Sequence, residues 1–276
     1  MWIWRPAACG STGIRTFEAA PVRFDVISLF PELVAAVGES GVTGRAVERG
    51  RLELKSWNPR AWGAGFHQAV DDRPYGGGPG MVMQYAPLAA ALDAARADAA
   101  TPLHVIALTP QGRPIRQAML RELAAQPRVA LVCGRYEGID ERFIEAQVDE
   151  EWSLGDFVLS GGELAAMAVI DGCARLLPEV LGHADSAEQD SFSAGLLDCP
   201  HYTRPETVAG RSVPPVLLGG DHGAIRRWRR REALGRTWSR RPDLLARLEL
   251  GAEDAALLDE YRVSGHNGGS RTESDD

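Results

Sequence analysis

The chain has 276 residues, 45% of them hydrophobic and 25% charged, enough to bury a sizeable core in one large domain or two smaller ones. No stretch approaches the roughly 18 uninterrupted apolar residues of a membrane-spanning helix, so a soluble protein with no membrane partner is expected. The net charge of −8 would disfavour nucleic acid if charge were spread evenly, but the basic residues are not. Residues Met1–Ala20 lack the continuous apolar stretch and cleavage site of a secretion signal. The first strand-like alternation starts at Val22, and residues 1–21 are read as an extension outside the fold, disordered or a misassigned start. Cys9, Cys133, Cys173 and Cys199 show neither zinc-type spacing nor the density of a disulfide scaffold, which fits reduced thiols in a cytoplasmic location.

From there β-branched runs alternate with helical patterns, the signature of an α/β fold with a parallel sheet. Strands are predicted at Arg23–Leu29, Leu52–Trp57, Leu103–Leu108, Val129–Cys133 and Glu150–Leu154. Helices are predicted at Pro87–Ala97, Ile115–Leu123 and Asp140–Ala146, with Asp140 as an N-cap and Pro87 in a first turn. Apolar residues recur at helical spacing over Glu163–Leu177, and Pro178 ends the pattern. Residues 22–180 therefore read as the sheet domain. The small, polar stretch around Gly182–Ser191 reads as a flexible linker, set at 181–195. Helical patterns at Asp221–Trp238 and Pro242–Val263 then give a small helical C-terminal domain over 196–264, and a disordered tail is expected over 265–276.

Three predicted strands run into loops rich in glycine or turn residues: Thr109–Gly112, Gly134–Gly138 and Gly155–Gly162. Ligands of open α/β sheets bind at the carboxyl ends of strands, so these loops are either one ligand crevice or three ordinary turns. No segment matches a dinucleotide fingerprint or a phosphate loop, which removes support for nicotinamide enzymes and nucleoside triphosphatases. A ligand held mainly by backbone groups, such as an adenine nucleoside, stays open. The glycine-rich loop Asp71–Met81 reads either as part of a site or as a turn that permits close backbone packing. Five of the six residues Arg226–Arg231 are arginine, which makes that helix either a track for RNA phosphates or a solvated face. Trp228 and Trp238, on the same helix, are expected in the small domain's core. His67, His104, His183, His201 and His222 lack metal-ligand spacing, and no protein-bound structural metal is expected.

Several segments together carry a resemblance to a known family. Ser28-Leu29-Phe30-Pro31-Glu32, Gly41–Ala46, Asp71–Met81, Leu131–Arg142, Ser160–Leu164, Leu196–Pro205 and Pro214–Leu218 resemble, in order, the bacterial tRNA (guanine-N1)-methyltransferases. The resemblance spans roughly Val22–Leu250. It implies a deep trefoil-knotted, SPOUT-type α/β methyltransferase domain whose three loops hold S-adenosyl-L-methionine. It also implies a homodimer with active sites shared between subunits, tRNA bound by the helical domain over 196–264 of one subunit and the knot of the other, and methylation of N1 of guanine 37 in tRNA, just 3′ of the anticodon, in support of reading-frame maintenance.

By position, Thr109, Pro110, Gln111, Gly134, Leu154, Gly155, Asp156, Phe157, Val158 and Leu159 match the family's donor-binding residues, with Tyr136 and Gly161 in the same loops. Guanine N1 carries a proton that must leave before its lone pair can attack a methyl group, so a general base is needed. Asp190 matches the family's proposed base, Arg175 its electrostatic support, and Glu137 an active-site acid linked to magnesium dependence. Without the resemblance these three residues read as a solvated acid, a surface arginine and a turn carboxylate. The target base must also leave its stack. Other readings are an enzyme of the same fold acting on ribosomal RNA and a nonenzymatic RNA-binding protein.

Overall fold

The computed structural model describes residues 21–182 and 190–265. The expected N-terminal extension, the centre of the expected linker and the expected tail therefore lie almost wholly outside the described residues. The chain divides into two compact units, one formed by Met1–Arg113 with Ala125–Ile170 and the other by Pro114–Ala124 with Asp171–Asp276.

The first unit opens with β1 (Val22–Ile27), a strand buried along nearly its whole length. After it come α1 (Pro31–Ala35), with Pro31 in the first turn, α2 (Gly41–Glu48) and β2 (Leu52–Trp57). A short antiparallel pair, β3 (Asp71–Asp72) and β4 (Val82–Met83), brackets the glycine-rich loop. The chain continues through α3 (Tyr85–Asp98), β5 (His104–Pro114), α4 (Gln117–Ala124), β6 (Arg128–Cys133), α5 (Glu141–Gln147), β7 (Glu150–Ser153) and α6 (Glu163–Ala174). The five-stranded sheet has the order β2-β1-β6-β5-β7, and β1 pairs in parallel with both β2 and β6, as β5 does with β6. Every residue of β6 is buried, as expected for a central parallel strand covered on both faces. Ile27, Val105, Val132, Leu88, Leu92 and Phe143 form part of the core between the sheet and α3 and α5.

One polar cluster is sealed inside this sheet. Asp25 on β1 is fully buried and accepts hydrogen bonds from Arg128 Nε (2.8 Å), Trp57 Nε1 (2.8 Å) and Arg23 Nη2 (2.6 Å). Arg128 spends its remaining donors on the carbonyls of Ala95, Ala99 and Thr101 at the end of α3. A buried charge is tolerable when paired and hydrogen-bonded in this way.

Several element ends shift by one to three residues from expectation, and two elements depart further. β5 does not stop at Leu108 but stays extended through Pro114, although exposure rises beyond Leu108. Proline's fixed φ suits extended backbone, and Gly112 lets the strand cross β7: a Cβ there would lie 2.4 Å from the backbone of Glu151 and Trp152. The segment Thr109–Gly112 is thus strand rather than loop.

In the second unit, a hairpin of β8 (Thr207–Val208) and β9 (Arg211–Ser212) precedes α7 (His222–Arg240), α8 (Pro242–Leu245) and α9 (Ala252–Gly265). Asp221 caps α7 by accepting from the N–H groups of Gly223 and Ala224, which hold its carboxyl below the usual range. The single helix expected over Pro242–Val263 is instead two. Leu245, Leu248 and Leu250 all pack against the core of Leu196, Leu234, Leu257 and Leu258, and in one helix Leu248 and Leu250 would point to different faces. The chain breaks at Ala246–Gly251 to bury them. This core is leucine, not tryptophan: Trp238 stacks under the Arg262 guanidinium 5.1 Å away, and Trp228 lines an open concavity. Among the described residues no helix is long and apolar enough to cross a membrane.

Candidate functional site

The ends of β5, β6 and β7 converge on one cavity of about 410 Å³. Thr109, Pro110 and Gln111 line it from β5, Gly134, Tyr136 and Glu137 from the segment after β6, and Leu154, Gly155, Phe157, Val158, Leu159 and Gly161 from the segment after β7. The three segments line one cavity, as the crevice reading expects. Asp156 is the one expected donor residue absent from its wall. Val82, Leu108 and Ile144, outside the motifs, and Ile139, inside Leu131–Arg142 but not among the expected donor residues, supply further apolar surface. The volume falls within the roughly 300–1,000 Å³ of small-molecule sites.

The walls are joined to one another by backbone. Gly162 N–H donates to Gly134 C=O at 2.9 Å, and Arg135 forms a bridge with Gly161, so the second and third walls are tied together. The glycine-rich loop is tied in as well, through Glu137 N–H to Met81 C=O and Met83 N–H to Gly138 C=O, both 2.9 Å. Gly80 has φ +80° and a Cβ there would sit 2.3 Å from a Glu137 carboxylate oxygen, so the packing reading of the Asp71–Met81 loop has direct support. Tyr136 holds φ +61°, a left-handed conformation that costs a tyrosine energy and is concentrated at functional sites.

A buried ion pair beneath these segments was not anticipated. Glu163, the first residue of α6, is 1% exposed and accepts from Ser28 Oγ (2.8 Å) and Arg135 Nε (2.9 Å). Arg135 also donates to the Ser160 carbonyl at 3.2 Å and lies 4.4 Å above the Phe30 ring. One arginine therefore pins the β1–α1 turn and two cavity walls to a single carboxylate at a helix N-terminus, where negative charge is favoured. Both residues stand inside the motifs Leu131–Arg142 and Ser160–Leu164, and a glutamate opening so apolar a helix as α6 was the available signal.

Arg175 and Asp190 belong to the other compact unit, where Arg175 Nη2 lies 2.5 Å from Asp190 Oδ2. That oxygen is shielded from solvent and has no hydrogen bond of good geometry, so the contact is an ion pair by proximity, while the side chain as a whole stays 35% exposed. The structure thus brings together two residues fifteen positions apart that the resemblance names as base and support.

The thiols of Cys133, Cys173 and Cys199 are all buried, and burial raises each, Cys173 to about 12. His201 meets Asp198, with Nε2 2.7 Å from Oδ2, and the Cys199 thiol lies nearby. Burial opposes the charge on Asp198, but hydrogen bonds from His201 and Cys199 outweigh it and hold the carboxyl low. The potential ligand atoms of Asp198, Cys199 and His201 all lie within 4.8 Å of one another, a grouping that the sequence spacing did not suggest.

Comparison with known proteins bears on the same residues. Residues 22–247 match the family model described as tRNA (Guanine-1)-methyltransferase TrmD. The chain belongs to this family. Curated relatives named tRNA (guanine-N(1)-)-methyltransferase include one from Pseudomonas fluorescens (strain SBW25), 60% identical over 242 residues, covering 88% of this chain and 97% of the relative. Another, from Serratia proteamaculans (strain 568), is 58% identical over 237 residues, covering 86% and 93%. As a tRNA (guanine-1)-methyltransferase family member, the chain is a methyltransferase enzyme, and the cavity at the strand ends is its candidate donor site.

Proposed function

We propose that this protein transfers the methyl group of S-adenosyl-L-methionine to N1 of guanine 37 of tRNA, in the cytoplasm and as a homodimer. The convergence of Thr109–Gln111, Gly134–Glu137 and Leu154–Gly161 on one cavity is the observation that carries this reading. Its apolar walls suit an adenine ring, and its backbone-rich rim suits the polar edges of a nucleoside. The donor would supply an electrophilic methyl on a sulfonium. The protein's task is then to orient that methyl and to take the N1 proton.

Asp190 is the proposed base, accepting the N1 proton as the new N–C bond forms. Arg175 is the proposed electrostatic support for the carboxylate and for the negative charge that develops on the purine oxygen, and its contact with Asp190 supports that reading. Glu137 stands on the rim of the donor cavity, and we assign it the acidic role linked to magnesium. We read the close crossing of β5 over β7 at Gly112 as part of a trefoil knot. The dimer reading draws support from the exposed Phe157, Val158 and Leu164, apolar surface that a second copy would cover and complete into a shared site.

A pair of tRNA transcripts differing only at position 37 tests the assignment. The guanine transcript should accept label from S-adenosylmethionine and the adenine transcript should not. Equal labelling of both would overturn position 37 as the target, and labelling of ribosomal RNA alone would favour a different RNA substrate.

A further inference from the structure

We propose that Asp198, Cys199 and His201 form a binding site for one zinc-type transition-metal ion. Among the described residues they are the one grouping of three such side chains whose ligand atoms lie within 4.8 Å of one another. A tetrahedral ion with bonds of roughly 2.0–2.3 Å holds its ligand atoms roughly 3.3–3.8 Å apart, so a contraction of about 1 Å closes the set around it. The donors are a sulfur, a nitrogen and an oxygen. Thiolate and imidazole select zinc and its neighbours in the transition series, whereas magnesium and calcium take oxygen ligands. The charges of the Asp198 carboxylate and a Cys199 thiolate together balance a divalent ion. Three protein ligands leave a fourth position to water.

The surroundings fix two of the ligands and leave the third accessible. Leu196 is buried in the leucine core, and Leu197 N–H donates to Thr237 Oγ1 on α7 at 2.9 Å. Asp198 N–H donates to Ser191 Oγ at 3.0 Å, so the backbone is fastened up to the first ligand. Asp198 Oδ1 accepts from Cys199 N–H at 2.6 Å, which turns Oδ2 toward His201 Nε2, 2.7 Å away. An outer hydrogen bond of this kind orients ligating carboxylates in metal sites. Cys199 is buried, whereas the His201 side chain is 72% exposed and borders an open concavity, so an ion has a path in beside the imidazole. On binding, the Cys199 thiol releases its proton to solvent, and the ion takes the place of the proton between His201 Nε2 and Asp198. No electron is transferred.

The test titrates the full chain separately with zinc, with cobalt(II) as its spectroscopic substitute, and with magnesium. One equivalent of zinc should bind and raise the melting temperature, because the ion prefers the folded chain. Cobalt should give a thiolate charge-transfer band in the near ultraviolet, which zinc should abolish and a large excess of magnesium should not. Cys199→Ser should remove the band. His201→Ala, a change at an exposed side chain that does not endanger the fold, should lower zinc affinity by more than about 10-fold, since losing even a residue that merely supports a ligand costs that much. Absence of the band in the parent chain would overturn the inference. So would a band that survives in Cys199→Ser, which would assign it to another cysteine, and so would parental zinc affinity in His201→Ala. Each of these readings is independent of methyl transfer, so neither outcome alters the proposed function.

Discussion

At the scale of single residues, the account turns on Asp190 and Arg175. Their 2.5 Å ion pair joins side chains whose positions in the sequence gave no hint of contact, and only the resemblance singled them out. Replacing Asp190 by Asn keeps the shape and removes the proton acceptor. Methyl transfer should fall by about 10²- to 10⁴-fold, with donor and tRNA affinity retained. A variant with full activity would dismiss Asp190 as the base. Glu163 was open to inspection in the same way, yet a carboxylate that begins an apolar helix reads as an N-terminal acid. What it does depends on Ser28, far away in the chain, and such long-range pairing leaves no trace in local pattern.

Among the elements, period and turn chemistry located nearly all the larger pieces. β2 begins and ends where its alternation of apolar and polar residues does, and α5 starts at its Asp140 cap, whose carboxylate accepts from Arg142 N–H. What escaped was set by tertiary packing: β5 runs on past Thr109 because Gly112 lets it lie against β7, and α8 and α9 part so that Leu248 and Leu250 reach one core. The buried Arg128 was likewise hidden, since an arginine at the head of a strand normally reads as exposed. Arg128→Leu strands Asp25 with fewer partners and frees three carbonyls, and should cost about 3–5 kcal/mol in denaturant unfolding. A change below about 1 kcal/mol would show that the sheet does not depend on the pair. In the helical unit, hydrogen bonds from Arg230 on α7 hold the carboxyl of Asp254 on α9 below its ordinary value. Its folded value is depressed, so the stabilisation is fully present above the unfolded carboxylate value of about 4 and is lost as pH falls through the lower folded one. Asp254→Asn should therefore flatten the acid limb of a pH-dependent melting series, and an unaltered limb would mean that the pair contributes nothing.

For the molecule as a whole, one compact unit carries the cavity at the strand ends, and the other carries the Arg175–Asp190 pair and the aromatic, arginine-lined concavity. The α/β class was legible from alternation alone, and the three strand-end segments were legible as a crevice or as turns. Backbone hydrogen bonds among Gly134, Gly162, Glu137 and Met81 were needed to choose between them. The proposed division of labour is a donor held by backbone at the strand ends and a base, Asp190, carried by a different part of the chain. Its most direct test is to digest tRNA after reaction with S-adenosylmethionine and to locate the added methyl by mass spectrometry. The account predicts N1-methylguanosine, in the fragment containing position 37 and nowhere else. A methyl on another base, on a ribose oxygen or on guanine outside position 37 would contradict it.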